Sequence, residues 1–305
     1  MDKNSVKWQG PFTAIVTPFD RQGRIDESAF AHNVEGLIRA GATGIVANGC
    51  TGEFWAQNTD ERKRLLEVAV KAAKGRITVI GGTGAITTSE AIEITQAAKD
   101  VGCDGAMIIP PFFVKPSTDD VIAHYETIAR AVNIPIMLYN LPSQTFALTP
   151  EIVVRLAEID NVVAIKDSSF DYNNFYRMNQ LSGDRIRIFI GPSTMFGYPA
   201  LKMGAVGWVD TYSNIWPELT VRLYNETMAG NDAKAQEIQK LGQEFRAFCD
   251  AQGNMYATTK AAMTLRGFSG GYPRLPLRPV SDAKIAEMRK GLERLGVPLT
   301  RAAAE

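Results

Sequence analysis

A lysine that ends an apolar run offers the most specific chemistry in this sequence. Lys166 directly follows the apolar residues 162–165. At the end of a buried strand, desolvation disfavours the ammonium form and lowers the pKa of the lysine. The neutral amine can attack a ketone and form a Schiff base, an electron sink that eases C–C or C–O cleavage next to the former carbonyl. The structural alternative is a lysine paired with Asp167 or emerging at the rim.

Tyr139 is a second candidate. It lies near the end of the apolar run 134–140, where its hydroxyl could pass protons to and from an intermediate on the amine. A tyrosine is more commonly a core residue with a hydrogen-bonded hydroxyl. The sequence leaves both interpretations open.

The segment G-C-T-G-E at 49–53 could bind a carboxylate. A sharp turn here would expose backbone N–H groups, which suit an anion together with the Thr51 hydroxyl. An ordinary turn after a strand would carry the same letters. Cys50 is disfavoured as a nucleophile, because neither His32 nor His124 lies near it in the sequence.

These candidates lie at the ends of short apolar runs that recur along the chain. The runs lack strict alternation, which is typical of strands buried on both faces of a parallel sheet. They cover residues 12–18, 44–49, 77–82, 106–111, 134–140, 162–167, 187–191 and 207–212. Helical periodicity lies between them, at 61–74, 89–102, 118–132, 149–159 and 216–230. The caps predicted for these helices are Ser89, Thr118 and Thr149, with Trp216 before Pro217.

Eight strands alternating with helices allow a closed (β/α)8 barrel or a doubly wound open sheet. The open sheet typically has G-x-G-x-x-G after its first strand, and residues 17–23 do not match this motif. The G-G-T-G at 81–84 is too short and follows the third run, so we interpret it as a turn. We therefore predict a TIM barrel, with its active site at the C-terminal ends of the strands.

The predicted catalytic barrel covers residues 1–230 and leaves 231–305 as a C-terminal extension. Three segments of the extension have helical periodicity, at 231–253, 254–267 and 281–296. No shift in composition marks a linker before residue 231. We therefore expect the extension to pack on the barrel.

Composition narrows the class of function. The 33 Lys and Arg residues balance 33 Asp and Glu residues without a basic run, which argues against nucleic-acid binding. The scattered Cys50, Cys103 and Cys249 argue against disulfides and a structural zinc site. The N-terminus is polar and no apolar run approaches the roughly 18 residues of a membrane span. We expect a cytoplasmic protein with neither membrane nor nucleic-acid partners.

Three motifs at the predicted strand ends carry a family resemblance. They are G-C-T-G-E at 49–53, Y-N-L-P at 139–142 and I-K-D-S at 165–168. Together they resemble the dihydrodipicolinate synthase / N-acetylneuraminate lyase family of class I aldolases, over residues 12 to about 230 and in the helical tail. The resemblance implies a covalent imine with no metal or organic cofactor, and a homotetramer built as a dimer of dimers.

The resemblance also implies residue roles. Lys166 would form the imine and Tyr139 would shuttle protons. Cys50 and Thr51 would lie where the family holds the carboxylate of a 2-oxo acid with two hydroxyl residues, although Cys50 has none. Further substrate contacts are implied for Gly49, Ser168, Gly191, Ser193, Thr194 and Thr211.

The chain departs from the family patterns at residues that would contact the substrate. Gln144 stands where true dihydrodipicolinate synthases carry an arginine that grips aspartate semialdehyde, and Phe113 stands where they carry a relay tyrosine. Loss of such a charge-assisted contact costs about 1.5–3 kcal/mol. The acidic residues of neuraminate lyases after the seventh strand are replaced by P-S-T at 192–194. We expect a mostly neutral distal pocket, with Phe113 and Gln144 in contact with substrate and three more aromatic residues nearby: Trp55, Phe112 and Phe146.

The sequence thus predicts a Schiff-base lyase, an aldolase or dehydratase, that acts on a short or partly apolar 2-oxo acid, with pyruvate as product or co-substrate. Sugar-acid-derived 2-oxo acids are also compatible with the sequence, because hydroxyl residues are among the expected substrate contacts. One alternative is 4-hydroxy-tetrahydrodipicolinate synthase, which combines pyruvate with aspartate semialdehyde. Another is a non-catalytic protein that binds a 2-oxo acid. Metal-assisted enolisation is disfavoured, because the sequence offers no clear ligand cluster.

Overall fold

The barrel is closed by eight parallel strands. The computed structural model describes residues 1–300, and within them each strand pairs with the next along the chain while the last pairs with the first. The strands are β1 (Gly10–Ala14), β2 (Gly44–Ala47), β3 (Thr78–Gly82), β4 (Gly105–Ile108), β5 (Ile136–Asn140), β6 (Val162–Asp167), β7 (Arg187–Ile190) and β8 (Gly207–Asp210). The predicted TIM barrel is confirmed.

A helix follows each strand. These helices are α1 (Glu27–Ala40), α2 (Thr59–Ala73), α3 (Thr88–Asp100), α4 (Thr118–Ala131), α5 (Pro150–Leu156), α6 (Tyr172–Ser182), α7 (Ser193–Lys202) and α8 (Pro217–Met228). The predicted helical segments correspond to α2, α3, α4, α5 and α8. The sequence prediction omits α1, α6 and α7. Helix α7 contains Pro199 and a non-helical Phe196, so its periodicity is irregular.

Two of the predicted helix caps are displaced. Thr87 rather than Ser89 caps α3, and Ser117 rather than Thr118 caps α4. In each case the capping oxygen accepts a hydrogen bond from the backbone N–H three residues later, so the cap lies one residue before the first helical residue. Thr149 precedes Pro150 at the start of α5 and makes no side-chain cap bond. Helix α8 begins after Trp216, as predicted.

Each strand is buried on both faces because the fold has two apolar layers. The inner layer fills the barrel, and the outer layer lies between the strands and the helices. Trp8 packs against β4 so closely that its ring occupies the place of any side chain at Gly105. This double burial explains why the strand sequences are apolar without alternation. Polar side chains are therefore concentrated at the carboxyl ends of the strands.

Three helices follow the barrel: α9 (Asp232–Asp250), α10 (Met255–Leu265) and α11 (Asp282–Arg294). Helix α9 packs on α7 and α8, and α10 packs on α9 and α11. The predicted extension reaches Glu305, and its residues 301–305 lie outside the described part of the chain. No helix within residues 1–300 is long and apolar enough to cross a membrane.

A buried ion pair joins α10 to the turn after β2. The side chains of Lys260 and Glu53 are only 2% and 0% exposed. The ammonium of Lys260 also donates to the carbonyl of Tyr272 at 2.8 Å and lies 4.4 Å from the centre of the Phe19 ring. Burial lowers the pKa of Lys260 to about 8, and Glu53 opposes this shift. The C-terminal helices are thereby tied to the turn 49–53.

Substitution Glu53→Gln should lower the free energy of unfolding by about 3–5 kcal/mol, because Lys260 must then either stay charged without its buried partner or give up its proton. The double variant Glu53→Gln/Lys260→Met should recover part of that loss, because neither charge remains. Denaturant titration followed by circular dichroism measures both values. The control is Lys284→Met, which removes a more exposed pair with Glu287. An equal loss in the single and double variants would contradict the prediction.

Candidate active site

A cavity of about 230 Å³ lies at the carboxyl ends of the strands. Most of the predicted site residues meet there, although they come from strand ends far apart in the sequence. Those that line it are Cys50, Thr51, Tyr139, Gln144, Lys166, Ser168, Gly191 and Thr211. Gly49 lies beside a small adjoining recess that Cys50 and Tyr139 also line.

Lys166 is the buried amine of this cavity. It pairs in register with Tyr139 across β5 and β6, so that both side chains enter the barrel, and its Nζ lies 4.1 Å from the centre of the Tyr139 ring. Burial lowers the pKa of Lys166 to about 8, against the opposing influence of Cys50 and Asp210. At pH 7 about one-tenth of the amine is therefore neutral.

Asp167 points away from the cavity, into a separate polar cluster. Its carboxylate accepts hydrogen bonds from the Asn140 amide at 2.7 Å and from the Ser169 hydroxyl at 2.8 Å. Lys166 forms no ion pair with Asp167 or with any other described residue. The structural explanation considered for Lys166, a pair with Asp167, is therefore not realised.

Tyr139 and Cys50 both keep their protons at neutral pH. Burial raises the pKa of Tyr139 well above its ordinary value; Cys50 adds to this shift and Ser168 opposes it. Burial likewise raises the pKa of the Cys50 thiol, while Lys166 acts in the opposite direction. The Cys50 thiol and the Ser168 hydroxyl lie near enough to the Tyr139 hydroxyl to shift its pKa. Tyr139 can therefore donate a proton to a group on the amine and recover one from its neighbours.

The turn after β2 presents donors to the cavity. Its N–H groups from Gly52 and Glu53 bond to carbonyls within the turn. The N–H groups of Cys50 and Thr51 donate to no residue in the range 1–300. The Thr51 hydroxyl lies 2.8 Å from that of Thr211. Two free amides beside a hydroxyl suit a carboxylate.

Glycine is required at position 191. A Cβ there would lie 2.9 Å from the Ser168 hydroxyl and from the Val209 carbonyl, and 3.1 Å from Cε of Lys166. These separations are too short for an additional carbon atom. Gly191 therefore lets the lysine and the serine extend over β7.

Ser193 and Thr194 lie behind the cavity wall, so the structure does not bring them to the position expected for substrate contacts. Both are buried, with 0% and 1% exposure, and neither lines the cavity. Ser193 instead donates to Asp210 from its hydroxyl and, at 2.9 Å, from its N–H. These residues face the polar interior at the start of α7.

Asp210 ends β8, and the sequence analysis gives it no role in the site. Its carboxylate is fully buried and accepts a hydrogen bond from the N–H of Tyr212 at 2.7 Å, besides those from Ser193. Burial raises its pKa, while those hydrogen bonds and Lys166 lower it. It is the acidic group whose charge acts on Lys166. An acidic residue that ends an apolar run, as Lys166 does, is the signal that would have identified it.

Phe113 does not enter the cavity of its own chain. It is 94% exposed, with φ of +72°, in the loop between β4 and α4. With Phe112 and Phe146 it lines a separate groove, which Gln144 also borders. Phe112, Phe113 and Phe146 thus face this groove and not the cavity, whereas Trp55 lies next to the cavity wall, with its ring centre 5.6 Å from that of Tyr256.

The C-terminal helices supply side chains that the sequence analysis does not assign to the site. Arg246 comes from α9, and Met255 and Tyr256 come from α10. Phe170 and Tyr212, from the loops after β6 and β8, also line the cavity. Arg246 contradicts the expectation of a mostly neutral distal pocket. These contributions escaped prediction because local sequence does not reveal which helix folds over the barrel mouth.

The reactivity of Lys166 toward acetic anhydride should fall about tenfold for each pH unit below about 8 and level off above it. The reason is that only the neutral amine reacts, and burial places its pKa at about 8. Mass spectrometry of the peptide containing Lys166 gives the profile, with free Nα-acetyl-lysine as the internal standard. A profile that keeps rising to pH 10, as the standard's should, would contradict this assignment.

Comparisons with known proteins show similar sequences and a similar fold. The model of the dihydrodipicolinate synthetase family matches residues 7–295. The chain is 36% identical over 295 residues to the 4-hydroxy-tetrahydrodipicolinate synthase of Methanothrix thermoacetophila, covering 94% of this chain and 97% of that protein. It is 37% identical over 293 residues to an uncharacterized DapA-like lyase of Rhizobium meliloti, covering 94% and 96%.

A solved structure shares the whole architecture. YagE, a prophage protein of the dihydrodipicolinic acid synthase family from E. coli K12 solved in complex with pyruvate, superimposes with a TM-score of 0.90. Its sequence is 26% identical, and the match covers 96% of this chain and 100% of that one. The family model spans nearly the whole barrel and its helical extension. This chain therefore belongs to the dihydrodipicolinate synthetase family of lyases.

Proposed function

We propose that this lyase forms an imine between Lys166 and a 2-oxo acid and cleaves a C–C or C–O bond beside it, with pyruvate as product or co-substrate. The observation that carries the proposal is the buried Lys166 amine, whose pKa of about 8 lies close to neutrality and which packs against Tyr139. Such an amine is a nucleophile without any metal. The pyruvate bound by YagE is consistent with this substrate class.

The first steps follow from the cavity lining. The N–H groups of Cys50 and Thr51 hold the C1 carboxylate of the substrate and so place its ketone beside Lys166. The amine attacks the ketone to give an ammonium alkoxide, and one proton passes from the nitrogen to the oxygen to give the neutral carbinolamine. Tyr139 then donates its own proton to this hydroxyl, water leaves, and the nitrogen lone pair forms the protonated C=N bond. Tyr139 is left as the phenolate and can act as a base in the next step.

Bond cleavage uses the imine as the electron sink. In C–C cleavage, the Tyr139 phenolate takes the proton of a hydroxyl on the departing carbon, that carbon leaves as an aldehyde, and the electron pair of the broken bond moves to the iminium nitrogen to give an enamine. Tyr139 then protonates the enamine carbon, and hydrolysis releases the 2-oxo acid product and restores Lys166. In C–O cleavage, the phenolate takes a proton from the carbon next to the iminium, and the resulting enamine expels the hydroxyl of the following carbon as water with the proton from Tyr139 before hydrolysis. Asp210 contributes a buried negative charge that stabilises the iminium. No metal or organic cofactor takes part in these reaction steps.

Borohydride reduction in the presence of pyruvate should add the reduced pyruvyl group to Lys166 and abolish activity. The imine is the reducible species, so Lys166→Met should give no adduct. Intact-mass and peptide mass spectrometry measure the result. Lys240→Met, which removes an exposed lysine of α9, serves as the matched control and should react as the wild type does. A wild-type protein without an adduct at Lys166 would overturn the proposal.

A second candidate is 4-hydroxy-tetrahydrodipicolinate synthase, which the name of the Methanothrix relative favours. The uncharged Gln144 speaks against it, because that side chain cannot form a charge-assisted bond to a carboxylate on this side of the cavity. A non-catalytic 2-oxo-acid-binding protein is a third possibility. The Lys166–Tyr139 arrangement argues against it, since binding alone needs no nucleophile. Turnover of no member of a 2-oxo acid panel would favour it.

Pyruvate and aspartate semialdehyde should give slow turnover with the wild type and about ten- to a hundredfold higher kcat/KM with Gln144→Arg. The gain corresponds to one charge-assisted hydrogen bond of about 1.5–3 kcal/mol. A coupled assay of synthase activity measures both rates. Gln144→Met is the control for removal of the amide. Ordinary synthase kinetics in the wild type would instead establish the second candidate.

The assembly and the location of the protein belong to the same proposal. We expect a homotetramer and a cytoplasmic protein with a barrel domain at 1–230 and the extension 231–305 packed on it. Gel filtration with light scattering measures the subunit number.

A further inference from the structure

Two cationic side chains line the cavity, and no acidic side chain within residues 1–300 does. Lys166 has its role in the imine. Arg246 takes no part in those steps, although it belongs to the same cavity. It comes from α9, beyond the barrel, so its presence there is a consequence of how the extension packs. An arginine beside an otherwise acid-free cavity points to an anionic part of the ligand.

The guanidinium of Arg246 makes only a weak contact with its acidic neighbour. Its Nε lies 3.3 Å from Oδ2 of Asp250, and that carboxylate also accepts a hydrogen bond from Tyr212. By contrast, Arg266 makes two bonds of 2.8 Å to Glu218. A guanidinium has five N–H donors. The single long contact with Asp250 orients Arg246 while leaving donors for a ligand, and its side chain is 25% exposed.

An aromatic ring supports the guanidinium from the loop after β6. The central carbon of Arg246 lies 5.6 Å from the centre of the Phe170 ring. Phe170 has φ of +58°, a conformation that is costly for a bulky residue and that marks functional loops. A hydrogen bond joins this loop to the end of β6: the Ser169 hydroxyl donates to Asp167 at 2.8 Å. The strand that presents Lys166 thus also positions the ring against Arg246.

We propose that Arg246 binds a second carboxylate of the substrate, so that the enzyme acts on 2-oxo dicarboxylic acids. This rests on the proposed imine chemistry, which fixes the first carboxylate at the turn 49–53. The planar fork of arginine matches a carboxylate in a bidentate way. Arg246 approaches the cavity beside Phe170 and Tyr212, from the side of β6 and β8. Gln144 follows β5. The carboxylate site proposed at Arg246 is therefore a different place in the cavity from the position of Gln144.

Two acids of equal carbon number test the proposal. In 2-oxoglutarate a distal carboxylate replaces the terminal methyl group of 2-oxopentanoate. Cyanoborohydride trapping on Lys166, measured against acid concentration, gives a half-saturation value for each. The wild type should favour 2-oxoglutarate about ten- to a hundredfold, as expected for one charge-assisted contact. Arg246→Met should bring the two values within about twofold, and Arg246→Lys should retain part of the preference.

The matched control is Lys240→Met, which removes an exposed positive charge from the same helix and should leave the preference unchanged. Pyruvate lacks a second carboxylate, so its half-saturation value should stay the same in Arg246→Met. A wild type that traps pyruvate but shows no preference between the two acids would overturn this inference and leave the imine proposal intact. A preference that survives in Arg246→Met, or a loss of pyruvate trapping there, would also overturn it. Absence of every adduct would overturn the imine proposal itself.

Discussion

Desolvation of one amine is the constraint on which the site depends. Lys166 is 5% exposed at the end of a strand buried on both faces, and this burial brings its pKa to about 8. The cost of burying the amine is tolerated because Asp210 and the π face of Tyr139 offset it without neutralising it through a close ion pair. A direct pair with Asp167 would have raised the pKa of Lys166 and reduced the fraction of neutral amine.

The alternation of side chains along β6 keeps Lys166 and Asp167 apart. Successive residues of a strand face opposite sides, so Lys166 enters the barrel while Asp167 faces outward. There Asp167 bonds to Asn140 and Ser169, and so orders the loop that carries Phe170. The end of β6 therefore carries the Lys166 amine on its inner face, and on its outer face it carries Asp167, which supports the loop with Phe170.

The C-terminal extension is part of the site as well as of the core. Its α10 is tied to the turn 49–53 by the Lys260–Glu53 pair, and the same helix lines the cavity with Met255 and Tyr256. The turn 49–53 and one wall of the cavity are thus mechanically coupled. The barrel and the extension follow one another along the chain, but both line the cavity.

Local sequence determined the strands, five of the barrel helices and the lysine–tyrosine centre, because each depends on residues that are neighbours in the chain or on one strand end. Double burial produces apolar runs, and a polar residue that ends such a run stands out. The positions of Ser193, Thr194 and Phe113 relative to the cavity could not be obtained in this way. Whether a side chain after a strand enters the cavity depends on the path of its loop. Only the tertiary structure decided that Arg246 reaches the cavity, because the packing of α9 against the barrel joins residues 80 positions apart.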